Sequence, residues 1–150
     1  MNNRFGISIF TLALASLTGC SSPDTVAPRS LPIHQNWTLQ PGSTVGGYAV
    51  IGSLGDVSVE LGGSAVHAPF DGRIEPLEGG DCVVFSTPEV PAYLFRLCGL
   101  SKPAVGDMQQ GDKIGRGQML QFAAMRKQPD GTWAIVEPGL DILERTVQQP

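Results

Sequence analysis

Short apolar runs closed by glycine or proline constrain this chain most, because they leave room for strands and turns and little room for helices. Tyr48-Ala49-Val50-Ile51 and Val57-Ser58-Val59-Glu60-Leu61 are bounded by Gly52, Gly55, Gly62 and Gly63. Ala65 to Ile74 predicts two strand pieces turning at Asp71-Gly72, and Lys113 to Arg126 predicts another strand. Gln128-Pro129-Asp130-Gly131 reads as a hairpin turn into Thr132-Trp133-Ala134-Ile135-Val136. Nineteen glycines and twelve prolines support the same reading. Only Gly139 to Val147 looks helical, with Leu140, Leu143 and Val147 spaced three and four apart. The expected fold is all-β, a small sandwich with a groove and one short C-terminal helix.

The cysteines sharpen one part of that plan. Cys82-Val83-Val84-Phe85 and Tyr93 to Cys98 predict two strands around the Pro88-Glu89-Val90-Pro91 turn. If the hairpin is symmetric about Val90, Cys82 lies opposite Cys98, since each is eight residues away. Directly opposed Cβ atoms sit about 4.5–5.5 Å apart, and some twist brings them to bonding range. The pair is a disulfide candidate in an oxidising compartment; two reduced core cysteines are the other reading.

The N-terminal end reads differently. Arg4 and the amino terminus form a short positive segment, and Phe5 to Leu17 follow without a charge. A hydrocarbon core needs roughly 20 residues to span, so this run fits the apolar part of a signal peptide instead. It ends in Leu17-Thr18-Gly19-Cys20, which resembles the lipobox of bacterial lipoproteins, in which the cysteine takes the lipid after cleavage. An ordinary signal peptide, or a short anchor helix beside an unrelated cysteine, reads the same residues otherwise. On the lipoprotein reading, residues 1–19 are the leader, 20–36 a lipidated cysteine with a polar, proline-bearing tether, and 37–150 the domain. In lipoproteins of many Gram-negative bacteria, Ser21 after the lipidated cysteine implies sorting to the periplasmic face of the outer membrane. Loss of Arg4 with the leader shifts the formal charge from -4 to about -5. An acidic chain with scattered charges argues against nucleic acid as a partner.

Several elements together resemble the LytM-type (lysostaphin-like) zinc endopeptidases of peptidoglycan. Val66-His67-Ala68-Pro69-Phe70-Asp71-Gly72-Arg73-Ile74 is similar to that family's "V-x-A-x-x-D-G-x-V". Val105-Gly106-Asp107-Met108 to Gly111, then Lys113 to Gly117, resembles its "G-D-x-V-x-x-G-x-x-I-G-x-x-G" stretch. Leu120 through Gly131 and Val136-Glu137-Pro138 resembles the closing segment of such domains. The resemblance covers roughly Gly55 to Leu143 and implies a β-sheet sandwich with a central groove.

The ligands do not follow. The family's H-x-H falls on Met119-Leu120-Gln121, and its "Y-x-H-L" falls near Phe95-Arg96-Leu97-Cys98. Of the early "H-x-x-x-D" ligands, only Asp56 stands between Ser53 and Val57. A catalytic zinc needs three protein ligands and an open position. His34 lies in the tether, and His67 is expected as a surface or satisfied histidine. Neither a metal nor another cofactor is expected, and the resemblance implies a pseudoenzyme. Phe95, Leu97, Met119 and Gln121 are then the candidate groove: either they fill it as extra core, or the open groove takes a peptidoglycan stem peptide or an envelope protein. Zinc-free members of the family are known as activators of cell-wall amidases, so peptidoglycan or a cell-wall hydrolase is the expected partner, beside a membrane held through the lipid.

Other chemistry is carried less well. Asp71, Glu75, Glu78 and Asp81 cluster in sequence but flank Gly72, Gly79 and Gly80, where solvated turn acids are ordinary. Gly111 to Leu120 also resembles biotinyl/lipoyl domains, yet Arg126 falls where their modified lysine should follow methionine, and Lys127 reads as an exposed hairpin lysine. Trp37 and Trp133 read as packing residues. An active hydrolase with an unrecognised site, and a structural lipoprotein of a membrane complex, remain the rival functions.

Overall fold

The computed structural model describes residues 27, 29–31 and 36–148, and the account below concerns the unit from His34 onward. Its elements run β1 Thr44–Val45, β2 Tyr48–Gly52, β3 Val57–Glu60, β4 Ala65–His67, β5 Gly72–Pro76 and β6 Val83–Ser86. They continue with β7 Tyr93–Cys98, β8 Gly106–Met108, β9 Lys113–Arg116, β10 Met119–Lys127, β11 Trp133–Val136 and α1 Leu140–Val147. The domain is all-β with a single short C-terminal helix.

Two sheets share the core. The larger runs β1-β2-β3-β10-β7-β6-β5-β8, with β11 also on β10, and the smaller pairs β4 with β9. Every pairing is antiparallel. The nine-residue β10 organises the large sheet. Its first half pairs β3 and its second half β11 along one edge, while β7 takes the other edge.

Strand alternation then builds the core in rows. Ile74, Phe85, Phe95 and Ala124 lie opposite one another across β5, β6, β7 and β10. Val83, Leu97, Phe122 and Val57 form the next row, and Leu120, Val59 and Val50 a third. All are buried. Phe95 stacks on Phe122 with ring centroids 5.7 Å apart and lies 6.4 Å from Phe85. Each such side chain contributes about 1.5–3 kcal/mol by leaving water. Val66 and Ala68 from the β4 region and Ile114 from β9 enter the same cluster, as do Leu143 and Val147 of α1. Gly46, at φ 56°, is where the helix closes in: a Cβ there would meet Val147 Cγ2 at 2.8 Å.

The hairpin of β6 and β7 has the register that its cysteines require. Val83 faces Leu97, Val84 faces Arg96 and Phe85 faces Phe95, so each pair is equidistant from Val90. One step further, Cys82 and Cys98 are joined, with Cα atoms 4.3 Å apart. The segment expected as one strand from Lys113 to Arg126 is two, β9 and β10, which belong to different sheets. The break falls at Gly117, where a Cβ would stand 2.3 Å from the Gly99 carbonyl oxygen.

Candidate functional site

The face of the large sheet turned away from the core carries the polar side chains. Ser58, Gln121 and Cys98 lie in one row across β3, β10 and β7, flanked by Glu60 opposite Met119 and by Arg96 opposite Ala123. Alternation requires this, because the residues between them (Val59, Leu120, Phe122 and Leu97) point into the core.

Asp56, just before β3, completes the group. Arg96 Nη2 lies 3.5 Å from Asp56 Oδ2, with the two side chains 28% and 23% exposed. Ser58 Oγ donates to Asp56 Oδ1 at 3.3 Å. Arg96 Nε is buried and makes no hydrogen bond. The face thus holds a partly buried carboxylate neutralised by a guanidinium whose terminal nitrogens, not the buried Nε, face outward. Such a group can orient a polar ligand through the guanidinium fork.

The four candidate groove residues divide between the two faces. Phe95 and Leu97 are each 1% exposed and belong to the core. Met119, 37% exposed, and the half-buried Gln121 lie on the outer face. They do not line one groove, and the reason is the period of two: in Phe95-Arg96-Leu97-Cys98 the outward positions are Arg96 and Cys98. Arg96 and Ser58 are the functional candidates that sequence reasoning passed over. The alternation Phe-Arg-Leu held the signal for Arg96.

The remaining sequence candidates have structural partners or lie apart. His67 is 9% exposed, and its Nδ1 donates to the Gln148 carbonyl oxygen at 3.2 Å. Asp71 Oδ1 accepts from the Gln110 amide at 2.8 Å, while Glu75 lies 3.8 Å from Arg73. Glu78 and Asp81 are exposed. Trp37 packs against the core and Trp133 is partly exposed, opposite Lys127 at the far end of β10. Among the described residues, no three His, Cys, Asp or Glu side chains converge as a metal site. Cys20 and His34 lie outside the described residues.

No protein-family model matches the chain, and no curated protein matches it. The class that the structure itself defines is an all-β domain with one terminal helix, bearing a partly buried ion-paired polar cluster on the outer face of its main sheet.

Proposed function

We propose that this chain is a lipid-anchored protein of the bacterial cell envelope whose domain binds without catalysing, as a peptidoglycan- or hydrolase-binding module. One observation carries the reading. Asp56 is the single acid left of the ligand pattern in the LytM-like resemblance, and it is ion-paired with Arg96 at 3.5 Å. In that resemblance a metal cation would balance the carboxylate; here a side chain of the protein does. Met119 and Gln121, at the positions of the family's H-x-H, lie on the same face to one side of Arg96, Gln121 one row away and Met119 two, and supply one apolar and one amide group.

Arg96 and Gln121 suit a ligand with carboxylates and amides, which describes a peptidoglycan stem peptide. Leu94, Met125 and Ile135 share this face toward the β11 end, and Ile135 is exposed, which gives such a peptide an apolar neighbour. The anchor at Cys20 would hold the domain within reach of the wall.

Retention of the detergent-solubilised full chain on purified sacculi, and crosslinking in intact envelopes, test the reading. Capture by either, weakened by Arg96→Ala, is the expected result. No retention on sacculi together with no envelope crosslink would sink it, and chelator-sensitive clearing in a peptidoglycan zymogram would replace it with an active metallopeptidase.

A further inference from the structure

Away from the sheet face, three cations meet in one cleft. Lys102 comes from the connection between β7 and β8, and Lys113 and Arg116 from β9. They line a cleft of about 560 Å³ together with Ser101, Gln118 and Gly63. All three cations are exposed, and none makes an ion pair or side-chain hydrogen bond with a described residue. In a chain with 14 acidic and 10 basic residues, this is a local reversal of the overall sign.

The backbone is shaped to produce it. Opposite β4, Val66 faces Gly115 while His67 faces Lys113, so β9 carries one extra residue at Ile114. That bulge buries the adjacent Ile114 and Gly115 and leaves both Lys113 and Arg116 outward, which a regular strand would place on opposite sides. The connection lies close against β9 because Gly115 has no side chain: a Cβ there would stand 3.2 Å from Leu100 Cβ. Ser101 N bonds to Arg116 O at 2.8 Å and Ala104 N to Ile114 O at 2.7 Å. Between these two clamps Lys102 sits at φ 47°, the one non-glycine residue of positive φ among the described residues. A lysine held in a conformation that favours glycine is strained, and such strain concentrates where a side chain must be presented.

We propose that this cleft binds a phosphate group, as a monoester or diphosphate on a saccharide or lipid headgroup. The number of cations selects the chemistry. One carboxylate would leave two of the three charges unanswered, whereas a phosphate monoester brings between one and two negative charges and three acceptor oxygens, and a diphosphate brings more. Arg116 offers a fork to two oxygens, and the two lysines act as point charges on either side. The site shares no residue with the Asp56–Arg96 cluster, so either can fail alone.

The test is an amide-resolved NMR titration of the full chain in zwitterionic micelles. Inorganic pyrophosphate, malonate as a dicarboxylate, and phosphatidic acid doped into the micelles are the three probes. Pyrophosphate or phosphatidic acid should give saturable shifts confined to Ser101–Lys102 and Lys113–Gln118. Response to pyrophosphate assigns a soluble phosphate source, and response to phosphatidic acid alone assigns a lipid headgroup. The triple variant K102Q/K113Q/R116Q, changed only at exposed side chains, should weaken binding at least about tenfold, while R126Q/K127Q should leave it unchanged. Equal binding of malonate, equal shifts around Arg126 and Lys127, or undiminished binding by the triple variant would each overturn the proposal.

Discussion

The two faces of the central sheet are built from the same strands and obey different rules. On the inner face Phe95 packs between Phe85 and Phe122, and substitutions there act on stability. On the outer face Asp56, Ser58 and Arg96 are held by an ion pair and a weak hydrogen bond, with Gln121 beside them, and substitutions there should act on binding. One residue step along a strand crosses from one rule to the other.

Phe95→Ala gives the largest expected effect, a loss of about 3–5 kcal/mol in urea unfolding, because the cavity opens where two other rings pack. Gln121→Ala, on the next strand but the other face, should change stability by no more than about 0.5 kcal/mol. Similar losses for the two would end the distinction between the faces.

The disulfide is the next test, since Cys98 lies on the outer face and yet ties down a hairpin that feeds the core. Cys82 and Cys98 are 16 residues apart, and opening a loop of that size should cost about 3 kcal/mol. Unfolding of C82S/C98S compared with the oxidised chain measures it.

Arg96→Ala should cost roughly 1 kcal/mol, as expected for a partly exposed pair, and Asp56→Ala about the same. Their double variant should cost less than the sum of the two, and strict additivity in that cycle would show the pair to be uncoupled.

The smallest effect belongs to neither face. At the β10–β11 turn the Thr132 hydroxyl and amide both donate to Asp130 Oδ1, at 2.7 and 3.0 Å, and hold the Asp130 carboxyl below its usual range. A carboxyl with a depressed folded pKa adds stability above its unfolded pKa and loses it as the pH falls through the folded value. That window lies in acid, below the ordinary aspartate midpoint. A carboxyl NMR titration should find the Asp130 midpoint low, and Thr132→Val should raise it.

The sequence carried the fold where local signals sufficed. The symmetric spacing of Cys82 and Cys98 about Val90 predicted the hairpin and its register, and Gln128-Pro129-Asp130-Gly131 predicted the last turn. It missed β8, where three residues beginning with Gly106 offer no alternation to read. It also ran β9 into β10, because the break at Gly117 depends on the close approach of Gly99, eighteen residues earlier in the chain. For the candidate site, Met119, Gln121 and Asp56 were legible as positions. Arg96 was not, because its role depends on a carboxylate forty residues away. Alignment with the family's ligand stretch drew Phe95 and Leu97 into the groove, although their parity with Arg96 assigns them to the core.

The placement of β10 has a consequence in time. Both its edges are occupied, by β3 and β11 on one side and β7 on the other, and it is made late in the chain. Without residues 119–127, the strand order leaves β1-β2-β3 and β7-β6-β5-β8 unjoined, each with an open edge that only β10 covers. Such edges readily pair with other chains. A chain stopped before Met119 would therefore present two unpaired edges at once, and full-length synthesis closes both with a single strand.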